Sequence, residues 1–434
     1  MTQRLRFMTA GALAGVAGLL LSGALSVSAQ PLRLTTHVQS TTAEVPSLAV
    51  PKMSTAISGT LQFFEVYTYS MVPYGSDSHV TADFDRDGRT DIVIAETLRP
   101  THTSRLVRLR NLGNWQFAAT VLITYPTAGS YLYEVQAADF NQDQWPDLVL
   151  RNHCEIDVLL NDQQGSFITS WTKVDVFRYC GKALTPGDLN GDKAIDIVAG
   201  EQSGLGGIVD VFLNNGSGTF FMHTWQSPPL GDPNAGTFHD IVLGDLNHDA
   251  LPDIAASEIY NGLLTTFLNG GMGLTFTLAT AQNVGEPAYA MTGGNLNGDD
   301  LVDVILNTGG VLRAFTAQGN GVLSETWTNS EVGSGFAQAL ADFDRDSYDD
   351  LFASSFSTGQ MYVYLNHPVS GTFQLVWSDQ LAGAIYSGSA ADAEAVSVPS
   401  RPTSRAAILR TTPPPGLIEA MDLMARAAGS MSAR

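Results

Sequence analysis

Cysteine is nearly absent from this 434-residue chain. Two residues cannot build a disulfide scaffold or a cysteine zinc cluster. Positive charge is scarce as well: 22 lysines and arginines stand against 43 acids, a formal net charge of −21. That balance offers no basic stripe for a nucleic-acid backbone or an anionic membrane surface, so no nucleic-acid partner is expected and cations are the natural guests. Only 15% of residues are charged, whereas 44% are hydrophobic and 42 are glycine. Such a mix can bury a large core and favours short strands joined by tight turns over long amphipathic helices. No nucleophile elbow, zinc-binding helix motif or phosphate-cradling glycine loop is found, and the eight histidines are scattered.

One long apolar run is present, AGALAGVAGLLLSGAL, behind Arg4 and Arg6 and ahead of Val27-Ser28-Ala29. This is the layout of a secretory signal over residues 1–29. The run is short for a span and has no charged stop behind it, and no cysteine follows to carry a lipid. Export is therefore expected, to a secreted, periplasmic or cell-surface location, with no membrane span after signal cleavage. Residues 30–58, rich in Thr, Ser, Val and Pro, read as a flexible leader. Residues 59–412 read as one repeat domain, and 413–434 as a Pro-rich turn and short tail holding at most one short helix.

Self-similarity organises the domain. A nine-residue pattern occurs six times, as DFDRDGRTD, DFNQDQWPD, DLNGDKAID, DLNHDALPD, NLNGDDLVD and DFDRDSYDD. The copies begin at Asp83, Asp139, Asp188, Asp245, Asn295 and Asp342, at intervals of 47 to 57 residues, the size of a four-stranded propeller blade. An apolar stretch precedes each copy and another, such as IVIA or IVAG, follows it. Next come LVRLRN, IDVLLND, VDVFLNN, LTTFLNG or YVYLNH, then a turn and an aromatic strand such as TFFMHTW. The reading is all-β: a β-propeller of four-stranded antiparallel blades. QFFEVYTY at 62–69 and the C-terminal AADAEA and AAILR argue for a seventh blade with a degraded acidic loop, where the chain ends meet; a six-bladed ring is the alternative.

Positions 1, 3, 5 and 9 of each nonapeptide carry oxygen side chains, and position 7 can offer its backbone carbonyl, a hard-oxygen donor set that suits calcium. The first loop supplies Asp83, Asp85, Asp87, Asp91 and the carbonyl of Arg89; the second, Asp139, Asn141, Asp143, Asp147 and that of Trp145. The third supplies Asp188, Asn190, Asp192, Asp196 and Ala194; the fourth, Asp245, Asn247, Asp249, Asp253 and Leu251. The fifth supplies Asn295, Asn297, Asp299, Asp303 and Leu301; the sixth, Asp342, Asp344, Asp346, Asp350 and Tyr348. With two carboxylates against three or four elsewhere, the fifth is expected to be the weakest site. An EF-hand differs in needing twelve residues, a terminal Glu and flanking helices.

These loops resemble the FG-GAP/VCBS repeat, the calcium-loop blade of integrin α-chain propellers and of many secreted bacterial proteins. The resemblance covers roughly residues 60–410. Loops of that family commonly place Gly at position 6, where the chain turns sharply; here only Gly88 does so. Gln144, Lys193, Ala250, Asp300 and Ser347 hold the other equivalents, and a left-handed backbone there would cost about 1–2 kcal/mol each.

The resemblance puts the acidic loops on one face of the ring and the long variable loops on the other, where binding usually resides. Six residues ahead of each nonapeptide, near the axial mouth of that second face, fall Asp77, Tyr133, Lys182, His239, Tyr289 and Phe336, with Tyr386 as the seventh equivalent. Tyr133, Lys182, His239, Tyr289, Phe336 and Tyr386 are the candidate ligand residues; equally, they could plug the channel. Cys154 and Cys180 fall in loops of neighbouring blades on the same face, and in an oxidising compartment a disulfide between them is expected. The sequence therefore reads as an exported, calcium-stabilised, monomeric propeller that binds an extracellular protein or carbohydrate without catalysis, in the manner of a cell-adhesion module. The alternative is a carbohydrate-active lyase or hydrolase using the top-face cluster.

Overall fold

Strands buried from end to end around a mostly apolar centre, as in Asp196–Gln202 and Gly207–Asn214, suit chain that is covered on both faces. Such strands recur as the second and third of each repeat, and they are buried almost throughout. The computed structural model describes residues 61–390 apart from short stretches at some turns, together with the strands Ala406–Leu409 and Glu419–Ala427. The signal and leader segments, Cys154, Cys180, Phe336, Asp344 and Tyr386 lie outside the described residues.

Among the described residues every regular element is a strand. Six sheets each contain four strands hydrogen-bonded in sequence order and antiparallel. Blade one, for example, runs Tyr74–Ala82, Asp91–Leu98, Thr103–Gly113 and Gln116–Tyr125. The first strands of the six blades are Tyr74–Ala82, Leu132–Ala138, Leu184–Gly187, Phe238–Gly244, Ala288–Gly294 and Gln338–Ala341. They lie against one another in succession and line the axis. Each runs into a nonapeptide loop, so all six loops gather at one end of the ring.

The expected count of seven complete blades is corrected to six, the alternative reading. What remains is two two-stranded pairs, Leu61–Ser70 with Glu419–Ala427 and Ser387–Ala390 with Ala406–Leu409. The Ser387–Ala390 strand lies against the first strands of blades six and one, so the two ends of the chain come together at this seam. The tail expected to hold at most a short helix forms a strand instead, because it finds a strand partner in Leu61–Ser70. The seam also lacks the residue that ties each full blade together: eight positions after Asp392 stands Ser400 rather than aspartate.

The core lies between blades rather than within them. One cluster joins Val149, Ile156 and Val158 of blade two to Leu184, Ile197, Phe212 and Phe221 of blade three, and comparable clusters fill the other described seams. The aromatic residue opening the fourth strand closes the seam from below. Phe167 meets Phe84 edge-on at 5.6 Å, and Phe221 meets Phe140 at 5.9 Å. A single blade could not bury these faces alone, so neighbouring blades stabilise one another.

Candidate functional site

The acidic loops fold on their own backbone. In the second loop Asp139 accepts the N–H of Asp143 on one oxygen (3.0 Å) and that of Gln144 on the other (2.6 Å). Asn141 Oδ1 then accepts the Asp143 N–H, and Asp143 Oδ1 accepts the Trp145 N–H at 2.9 Å. The third and fourth loops repeat this ladder through Asp188, Asn190 and Asp192 and through Asp245, Asn247 and Asp249. Asp342 and Asp346 do the same in the sixth. At the fifth loop Asn295 Oδ1 accepts the Gly298 N–H at 2.7 Å, and the NH2 that stands in place of a second carboxylate oxygen is a donor and cannot accept an N–H.

Position 6 adopts a left-handed backbone in every copy, from φ 63° at Ala250 to φ 84° at Gly88, as the glycine pattern implied. Position 4 is left-handed too at Arg86, Gln142, Gly191, His248 and Gly298, a second sharp turn that the sequence reading missed.

The ninth residue has a different task from the first five. Asp196 is buried, and its two oxygens accept the N–H groups of Leu189 (2.9 Å) and Asn214 (2.8 Å), pinning the loop to the end of the third strand. Asp147, Asp253, Asp303 and Asp350 make the same pair of bonds. Burial, followed by the neighbouring loop carboxylates, pushes Asp196 up to about 7, against the pull of its two N–H donors. Asp147, Asp253 and Asp303 are pushed up to about 6 by the same burial. A divalent cation in the loop would relieve this crowding of negative charge.

A partner of the pin went unnoticed in the sequence. The asparagine ending the third strand donates its side-chain N–H to the preceding blade: Asn214 to Phe140 O at 2.7 Å, Asn269 to Leu189 O at 2.8 Å, Asn366 to Leu296 O at 2.6 Å. Its signal was the recurrent Asn of LLND, FLNN, FLNG and YLNH. Blade five has Ala317 there, and the Gly321 N–H bonds Leu246 O instead.

The first loop brings Asp83, Asp85 and Asp87 together, with one oxygen from each inside a 4.8 Å cluster. Asp85 Oδ1 is buried and has no hydrogen-bond partner. Convergent carboxylates with an orphaned buried oxygen fit a hard divalent cation, and Asp83, Asp85 and Asp87 would hold it.

The opposite end of the ring is built from irregularity. In blades one, two, four and five the ladder between the first two strands skips one residue, and the four residues skipped are Asp77, Tyr133, His239 and Tyr289. A bulge of this kind re-aims a side chain and ends regular pairing. Tyr133 stacks on Tyr131 at 5.7 Å, nearly parallel. His239 Nδ1 lies 3.2 Å from Asp240 Oδ2, and Asp240 also accepts the Met291 N–H of the next blade at 3.1 Å. Glu134 accepts Gln136 Nε2 at 2.8 Å and the Ser78 hydroxyl of blade one at 3.3 Å. Thus Lys182 and His239 both act on Asp240, and Lys182 also on Glu134, while only the backbone of Tyr289 is described.

The FG-GAP-like repeat profile matches three overlapping stretches, residues 83–150, 139–199 and 188–256. The chain carries FG-GAP-like repeats. It is 26% identical to mouse (Mus musculus) integrin alpha-8 over 262 residues, 55% of this chain and 21% of that one. It is 31% identical to mouse integrin alpha-7 over 156 residues, 31% of this chain and 13% of that one. The matched stretches span about a fifth or less of these relatives. A solved protein from Lactobacillus plantarum shares the fold at a TM-score of 0.55, with 11% identity, over 72% of this chain and 86% of that one.

Charges of opposite sign meet at the mouth of the propeller. Burial pushes Glu134 up to about 7, although Lys182 pulls the other way. Burial also works to raise Asp240, but His239, Lys182 and the Met291 N–H outweigh it and hold the carboxyl below its usual range. The sequence reading named Tyr133, Lys182 and His239 but missed Glu134 and Asp240. Their signal was an acid set inside an otherwise apolar first strand, in LYEVQAA and FHDIVLG. Among the described residues no helix is long and apolar enough to cross a membrane.

Proposed function

We propose that this FG-GAP propeller is an exported binding or adhesion module, stabilised by calcium in its acidic loops, that grips an extracellular protein or carbohydrate at its axial mouth without catalysis. The observation that carries the reading is the repeated bulge: four blades break their ladder at one register position, and those positions hold Asp77, Tyr133, His239 and Tyr289. A channel plug would be served equally well by regular strands. The flanking Lys182, Glu134 and Asp240 add opposed charges beside aromatic rings, a combination suited to a sugar or a polar peptide. The FG-GAP-like repeats and the likeness to integrin alpha chains support an adhesion role, and the oxygen-rich loops support calcium over softer metals.

A glycan array and a pull-down from extracellular material, each with and without calcium, test this directly. Lys182→Ala and His239→Ala should each weaken saturable binding while leaving the melting temperature within a degree or two. Turnover of a polysaccharide, or unimpaired binding by both variants, would overturn the reading.

A further inference from the structure

The six acidic loops differ in one respect that concerns charge rather than shape. Among the described residues only the first is met by arginines from its own blade, Arg108 and Arg110 on the third strand. The residues equivalent to Arg108 in blades two to six are Val158, Val211, Thr266, Ala314 and Val363, and those equivalent to Arg110 are Leu160, Leu213, Leu268, Thr316 and Leu365.

The two arginines are not alike. Arg108 is buried, with 6% of its side chain exposed; its Nη2 lies 2.8 Å from Asp85 Oδ2 and bonds Asp91 Oδ2, and its Nη1 reaches Gly165 O of the next blade at 3.3 Å. It is a fixed strut. Arg110 is 46% exposed, with Nε 2.5 Å from Asp85 Oδ2 and Nη2 3.4 Å from Asp87 Oδ2. Arg89 adds a third guanidinium on Asp87 Oδ2. The loop with the most carboxylates among those fully described is therefore also the one with its own counter-charge. Asp85 Oδ1 nevertheless stays buried and unpartnered, inside the cluster of Asp83, Asp85 and Asp87.

We propose that the first loop is a guarded cation site in which Arg110 competes with the metal: a cation entering at Asp85 Oδ1 displaces the half-exposed Arg110, while Arg108 stays as the strut that orients Asp85. The first loop then loads after the second, third and fourth loops, at a higher calcium concentration, reversing the order that carboxylate count alone gives for these four. This rests on the reading of the loops as calcium sites.

The test is the number of calcium ions bound by the whole folded protein, counted by native mass spectrometry and by equilibrium dialysis across a calcium titration. Removing one partly exposed opposing charge with two contacts should tighten the site roughly threefold to fivefold. Arg110→Gln should therefore bind one more ion than wild type at low calcium, and Arg110→Gln with Asp85→Asn should lose that ion again. Arg110→Lys, which keeps the charge and loses the fork, should fall between. Identical titrations of wild type and Arg110→Gln would overturn the proposal, as would loss of an early-loading ion from wild type on Asp85→Asn. Absence of calcium from every loop in both proteins would overturn the underlying reading of the loops as well.

Discussion

The two ends of this ring obey opposite rules. At one end, loops of nearly one design recur, built on an acidic ladder, a left-handed turn at position 6 and a buried aspartate at position 9. At the other, the residues six positions ahead of the loops, Asp77, Tyr133, Lys182, His239 and Tyr289, mix an acid, two cationic or polar groups and two tyrosines. Repetition marks the end where each blade must solve the same packing problem, and variation marks the end released from it. Chemistry that differs around a fixed ring is what recognition of one asymmetric partner requires.

The comparison breaks most readily by removing cations. Calcium present at a hundredfold excess over its Kd stabilises the fold by about 2.7 kcal/mol per filled site. Chelation should therefore lower the melting temperature by many degrees and readdition should restore it; an unchanged melting curve would mean the loops stand on their backbone bonds alone. A smaller effect separates pin from mouth. Asp196→Ala leaves the buried N–H groups of Leu189 and Asn214 without acceptors and should cost about 3 kcal/mol in urea denaturation. Lys182→Ala should cost less than about 1 kcal/mol, since Lys182 belongs to the mouth and not to the pin.

The mouth has its own signature in pH. Because burial raises the Glu134 carboxyl from 4.5 to about 7, folding takes up a proton between those values, and its contribution to stability falls as pH rises from about 4.5 to 7. Glu134→Gln cannot titrate, so its stability relative to wild type should rise across that window; parallel profiles would show that this carboxyl is not held in the fold as described. The smallest change sharpens the loop end. Ala250 sits at φ 63°, and Ala250→Gly should relieve left-handed strain of about 1–2 kcal/mol against a glycine entropy cost of about 0.5–1 kcal/mol. A net gain of about half a kcal/mol is expected, read from the denaturation midpoint.

Much of the loop end was legible in the sequence because its constraints are local. A ladder in which Asp139, Asn141 and Asp143 each accept N–H groups two to five residues ahead depends on spacing alone, and spacing survives in a linear string. The Asn214 strap was not read, since its acceptor, Phe140 O, lies 74 residues away in another blade. The same limit explains Glu134 and Asp240, whose partners Ser78 and Met291 come from adjacent blades. It also explains the first loop, where carboxylates could be counted but the approach of Arg108 and Arg110 from another strand could not.

By itself the sequence determined the repeat length, the strand order within a blade, the acidic loops and the left-handed turn at position 6, all fixed by contacts within a few residues or one hairpin. Only the tertiary structure decided how many blades close as full four-stranded sheets and which residues face one another at the mouth. It also decided which acidic loop carries its own counter-charge. Those outcomes depend on groups tens of residues apart reaching the same few ångströms, and that is a property of the closed ring rather than of any one repeat.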